Sequence, residues 1–237
     1  MPLILMFAFM LLPIEHLSAK VKIIGIEIPG LHHLDGASGA YDKIINENVL
    51  KSAQATLEVL PPARAVLEFD SCQNCCLSPV NNNPEFYDFV GAITQTETMN
   101  YAKIYVFVKP GFATIDRISD LKDKVVGIRH GISYGKSFDQ AHLNVYKVDQ
   151  LDKLISMINK DHIDVFVSYA PDIFKTFTTL NIAPYPHNVA RPIAVHSERM
   201  VCRDVDAEFI LQFNQRLKQL KDSGELNKIL GDSLLVE

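Results

Sequence analysis

Three of the chain's four cysteines fall within five positions, Cys72, Cys75 and Cys76 of "DSCQNCCLSPV", and the fourth, Cys202, lies far along in "RMVCRD". Thiols so close together could hold a metal, exchange disulfides or cross-link the fold. A structural zinc needs four ligands converging tetrahedrally. "CCLSPV" reads as a strand, and successive strand residues point to opposite faces, so Cys75 and Cys76 cannot easily serve one ion. A thioredoxin-like C-x-x-C opens a helix, whereas this one leads into the strand. In an exported protein, neighbouring cysteines form disulfides. The cluster therefore reads as architecture, as disulfides or buried thiols, with no metal or cofactor expected.

A second stretch, "GIRHGISYGKSF", offers binding chemistry. Arg129 ends a strand, Gly131 permits a tight turn, and Ile132 and Ser133 lead into an expected helix. Free amides at a helix start, with a hydroxyl and the helix dipole, cradle anions. An ordinary helix cap would use the same residues. Polar residues elsewhere sit at the carboxyl ends of strands or in adjoining loops: Glu27, His33 beside His32, Arg64, and Ser78 with Asn81. Each has a plainer reading. Glu27 could cap a loop, Arg64 could lie on a helix surface, and paired histidines are often solvated. What groups them is the expectation that ligands of a parallel α/β sheet bind beyond its strand ends.

The elements that must position these residues alternate along the chain. "VKIIGIEI", "ATLEVL" and "CCLSPV" predict three strands separated by helices over "AYDKIINENVLKSAQ", with Ile44, Ile45, Val49 and Ala53 on one face, and over "ARAVLEF". A second α/β series runs from "AKIYVFVKPG" through "KVVGI", a helix in "SYGKSFDQAH", "VYKV", "QLDKLISMINKD", "IDVFVSY" and "PDIFKTFTTL". "ARPIAVHSERMVCRD" returns as extended chain, and the end is helical, with Phe209, Leu211, Phe213, Leu217 and Leu220 as its apolar face and Gly224 as a break. The 237 residues, 48% hydrophobic and 22% charged, suit one large domain or two lobes. A net charge of −5 without basic clusters argues against nucleic acid as a partner. Residues 2–14 form an unbroken apolar run too short to span a bilayer. With Ala19 behind it, the run reads as a secretory signal over 1–19 and predicts a soluble, exported protein.

The order of these elements, with "GAYDKIINE", "ISDLKDKVVGIRHGISYG", "LISMINKDHIDVFV" and "FNQRLKQLKDSGELNKIL", resembles the extracellular solute-binding proteins of family 3, the polar-amino-acid type of periplasmic receptor. The resemblance covers nearly all of the chain after residue 19. It implies a two-lobed α/β fold of the type II periplasmic binding class, with two crossover hinge strands and ligand held in the cleft. One lobe would be 20–101 plus 197–237, the other 102–196. The 131–133 turn would then face the cleft and hold a ligand carboxylate, and Cys202 would neighbour Cys75 or Cys76. Three recognition points depart from the family pattern. Phe86 stands where a carboxylate-clamping Arg is usual, Tyr169 where an ammonium-pairing Asp is usual, and Gly30 where an aromatic would stack on the ligand. These departures predict a small polar or anionic solute other than an ordinary α-amino acid. The role implied is periplasmic capture by a monomer for an ABC-type permease. The alternatives are a sensory module docking on a signalling protein, or a cleft lyase using Glu27 or a histidine as its acid.

Overall fold

The structure is a computed structural model that describes residues 20–48 and 55–235. The expected signal over 1–19 lies outside the described residues, as do Val49 and Ala53 of the first predicted helix. β1 (Val21–Ile26), β2 (Ala55–Leu60) and β3 (Cys75–Val80) are parallel neighbours in the order β2-β1-β3, linked by α1 (Ala40–Asn48) and α2 (Pro62–Ser71). β3 is buried over its whole length, as its run of apolar and small residues requires of an inner strand. The second series supplies β5 (Asn100–Val108), β6 (Val125–Arg129), β7 (Asn144–Val148) and β8 (Val165–Ala170), with α4 (Leu151–Asn159) and α5 (Asp172–Thr179) packed on them. A short edge strand, β4 (Ile93–Gln95), was not legible from its three residues.

β9 (Ala194–Arg203) joins the two series into one sheet, ordered β2-β1-β3-β9-β5-β8-β6-β7. Its first half pairs antiparallel with β5 and its second half with β3 and β4. Apolar residues segregate accordingly. One core gathers β1, β3, α1 and α2 with the C-terminal helices α6 (Ala207–Asp222) and α7 (Glu225–Leu230). Two more lie among the strands and helices of the second series. Gly224, left-handed at φ 71°, makes the break between α6 and α7 that its position predicts.

Two expectations need correction. The helix after the glycine turn is only α3 (Lys136–Gln140), preceded by Gly135, so Ser133 does not start a helix. Leu211 is half exposed rather than part of the buried face of α6. It lies two residues from both Phe209 and Phe213, about 200° around the helix from each, and so points away from the face they bury.

All four cysteines are bonded, Cys76 to Cys202 and Cys72 to Cys75. Cys76 and Cys202 sit directly opposite in the antiparallel pairing of β3 with β9, so the bond staples the returning strand to the first series. With all four sulfurs bonded in pairs, no thiolate is left to ligate a metal.

Candidate functional site

Between the two halves of the sheet lies a cavity of about 20 Å³, room for a single water molecule. Both series build its wall. Ile26 and Ile28 come from the end of β1 and the turn beyond it, Pro79 from β3 and Tyr87 from the loop that follows. Ile132 comes from the turn after β6, Tyr169 from β8 and Asp172 from the first residue of α5. His196 and Glu198 are two residues apart on β9, and so share the strand face turned to the cavity.

The polar groups here are deeply buried and incompletely partnered. Asp172 and His196 are 7% and 3% exposed, and neither Asp172 Oδ1 nor His196 Nε2 has a hydrogen-bond partner. Glu198 accepts a short hydrogen bond from the Tyr41 hydroxyl. Burial drives the Asp172 carboxyl up to about 7. Burial, together with the nearby Asp172 charge, drives Glu198 up to about 8. The same loss of water lowers His196 to about 3, leaving its ring neutral. Aromatic rings crowd around them: Phe86 meets the His196 ring edge-on with centroids 4.8 Å apart, and Tyr87 and Tyr169 each lie 6.0 Å from it. Tyr134 backs Tyr169 at 5.6 Å.

Of the site residues expected from sequence, Ile132 and Tyr169 line this cavity. Tyr169 donates its hydroxyl proton to the Ser133 carbonyl at 2.6 Å. Glu27 and Arg129 meet across the seam between the halves: the guanidinium donates to the Glu27 carboxylate and to its carbonyl, each at 2.9 Å, and to the Asp149 carbonyl at 3.2 Å. Asn81 donates to the Ser197 carbonyl at 3.0 Å, a contact to the hinge strand β9. His33 is exposed, and Arg64 is an exposed residue of α2 rather than of a loop.

The anion cradle is occupied by the chain itself. Gly131 has φ +79°, and a Cβ there would stand 2.2 Å from the Ala63 backbone nitrogen, so the turn is pressed against α2. Glu85, from the loop that carries Phe86, takes the amides at the start of α3. Ser137 N donates to Oε1 at 2.9 Å and Lys136 N to the Glu85 carbonyl at 2.6 Å. Ser133 Oγ accepts from Gly135 N at 3.3 Å. An internal carboxylate thus takes the amide of Ser137, a few residues beyond the 131–133 turn to which the resemblance assigns a ligand carboxylate.

Ser78 is within β3, not on the loop after it, and belongs to a buried chain that sequence reading also missed. His32 Nδ1 lies 2.6 Å from Asp42 Oδ1, and its Nε2 lies 3.1 Å from Ser78 Oγ. Burial lowers the His32 pKa despite its carboxylate partner. Burial opposes ionisation of Asp42, but bonds from His32 and from the His33 and Gly39 amides outweigh it and hold the carboxyl below its ordinary value. The neutral ring then donates from Nδ1 and accepts the Ser78 hydroxyl at Nε2. The order Ser-His-Asp matches a hydrolase triad. All three side chains are 0% exposed, however, so the nucleophile cannot meet a substrate. The chain ties the 28–42 loop to β3.

Asp172, His196, Glu198 and Tyr87 also escaped the sequence reading. Asp172 was the most legible of them, an acid at a helix start three residues beyond Tyr169. His196 and Glu198 alternate in a strand, which any half-buried strand would show.

No family model and no curated protein matches the chain in sequence. Solved structures match its fold closely. The GluR0 ligand-binding core from Nostoc punctiforme in complex with L-glutamate superposes with a TM-score of 0.69 at 14% identity, over 90% of this chain and 98% of that one. An amino acid ABC transporter substrate-binding protein, AbpA from Streptococcus pneumoniae bound to L-arginine, gives 0.65 at 16% identity over 91% and 94%. A histidine kinase sensor domain with similarity to periplasmic binding proteins gives 0.69 at 14% over 91% and 96%. The architecture is the two-lobed periplasmic-binding-protein fold, the fold that the resemblance implied.

Proposed function

We propose that the protein is an exported solute receptor, not an enzyme, that captures a small polar solute by closing its two lobes on the cavity walled by Tyr169, Asp172, His196 and Glu198. The observation that carries this reading is a small cavity at the junction of the two series, walled by both and lined by residues with unpartnered buried polar atoms. Such groups cost free energy unless something in the cavity satisfies them. The lobes we assign are 20–101 with 197–237, and 102–196. Their boundaries fall where β5 and β9 run side by side, Tyr101 opposite Ser197 and Ala102 opposite His196. Two adjacent strands crossing between lobes form a hinge about which closure can occur.

Export is supported by the two disulfides, which persist in oxidising compartments. Among the described residues no helix is long and apolar enough to cross a membrane. We assign the receptor to an ABC-type uptake system and exclude ordinary α-amino acids from its ligands, because Phe86 and Tyr169 occupy the positions of the usual charged partners. Likeness to a histidine kinase sensor domain supports a second reading, a sensory module docking on a signalling protein.

A thermal-shift screen against a metabolite library, with X-ray scattering on each hit, tests capture. The expected result is a small solute that raises the melting midpoint and compacts the protein. A library of polar metabolites that produces neither change would overturn it.

A further inference from the structure

The composition of the cavity wall narrows the solute class. Two carboxyl groups, Asp172 and Glu198, line the same small cavity, and both residues are at least nine-tenths buried. The nearest basic group acting on Asp172 is Arg129, whose guanidinium is already bound to Glu27 and Asp149. His196 supplies a neutral ring with an unpartnered nitrogen. Two aromatic rings, Tyr87 and Tyr169, complete the wall together with the aliphatic Ile26, Ile28, Pro79 and Ile132. Phe86 stands against His196, Tyr134 lies behind Tyr169, and the Tyr41 hydroxyl is on Glu198. Carboxylates beside aromatic rings and aliphatic side chains attract an organic cation, through charge at the acids, the negative faces of the rings and apolar contact with its carbons. Anions meet the opposite: two acids, a 131–133 turn pressed against Ala63, and a Glu85 carboxylate already on the Ser137 amide.

We infer that the cleft selects a small organic ammonium compound that carries no carboxylate of its own. The ammonium takes the place of the missing counter-ion between Asp172 and Glu198, and its carbon substituents lie against Tyr87, Tyr169 and Ile132. This reverses the anionic end expected from the 131–133 turn. It rests on the reading of the cavity as a solute site. The cavity holds only about one water, so entry requires the lobes to part, and small ligands are favoured over long ones.

Binding of a cation by these acids displaces the protons they hold near neutrality, so affinity must rise with pH. His196 is uncharged throughout the neutral range and the tyrosine hydroxyls are held protonated by burial, so neither opposes the trend.

Calorimetry on the full exported protein with choline, ethanolamine and putrescine, at pH 6.0 and pH 8.5, is the test, with glutamine and succinate beside them. At least one of the three cations should bind saturably, about tenfold or more tightly at the higher pH. Asp172→Asn, and independently Glu198→Gln, should weaken that cation by roughly 10- to 100-fold, the range for losing a hydrogen bond to a charged group. Neither variant should melt below the parent protein at pH 8.5, where both acids are mostly ionised and each substitution removes a buried charge. Should one variant fail to fold, the other carries the measurement. If glutamine or succinate binds with compaction of the protein and the cations do not, the cation assignment is overturned while solute capture stands. If none of the five binds, or the two substitutions leave cation affinity unchanged, the assignment is also overturned. Capture itself falls only if the wider library leaves the scattering profile unchanged.

Discussion

At the scale of single residues, the cleft combines groups whose titrations have opposite effects on stability. Asp172 holds its proton up to about 7 in the folded chain against an ordinary value of 3.8, and Glu198 up to about 8 against 4.5. The folded state therefore binds protons that the unfolded chain has released, and these two groups destabilise the protein as pH rises from about 4 towards 8. His196 does the reverse: neutral down to about 3 when folded, it favours the folded state as pH rises from 3 to 6.5. The effects oppose one another below pH 6.5, and above it the carboxyls act alone. We expect the melting midpoint of the solute-free protein to fall between pH 6.5 and 8.5, and Glu198→Gln to flatten that slope. A parent midpoint that rises across this window would refute the assignment of these groups. Little of this was legible in the sequence. Tyr169 and Ile132 were found because a family pattern pointed to their positions, whereas Asp172, His196 and Glu198 became visible only when the fold placed α5 and β9 against the same space.

At the scale of elements, the sequence was far more informative, because periodicity and β-branched runs report local structure directly. β1, β2, β3 and β8 appear where their compact apolar runs lie, and α4 where Leu151, Leu154, Ile155 and Ile158 recur at helical spacing. Failures came where too few residues carried the pattern, as in β4, or where a turn replaced a helix start, as before α3. The cysteines join the two levels, since spacing left Cys202 a choice of partners and strand pairing resolves it to Cys76. That bond closes a loop with a sequence separation of 126 residues, the other one of 3. Loop-closure entropy gives the long link at most about 5 kcal/mol and the short one about 1–2 kcal/mol. The double variant Cys76→Ser/Cys202→Ser should therefore lose clearly more stability in denaturant melts than Cys72→Ser/Cys75→Ser. Equal losses would mean that the returning strand is held by its β-ladder and core contacts rather than by the bond.

For the whole molecule, the seam between lobes is already closed by contacts the chain makes with itself. Arg129 grips Glu27, Glu85 caps the start of α3, and Gly131 rests on Ala63. A receptor that closes on its solute must balance such contacts against opening, since the solute shifts the equilibrium only by its preference for the closed state. The Glu27–Arg129 pair is partly exposed, with side-chain exposures of 35% and 6%, and the Glu85 bonds are solvent-facing. Contacts of this kind contribute about 0.2–1 kcal/mol each. Removing both acids should therefore cost the closed form about 0.4–2 kcal/mol, roughly 2- to 30-fold in the closing equilibrium. We expect Glu27→Gln/Glu85→Gln to increase the radius of gyration of the solute-free protein in X-ray scattering while its far-UV circular dichroism stays that of the parent. Gly131→Ala should do the same by another route, because the added methyl meets the Ala63 backbone and the backbone at φ +79° disfavours a side chain. An unchanged radius in both variants would show that closure does not depend on these contacts and rests on other packing at the seam, such as the rings around His196.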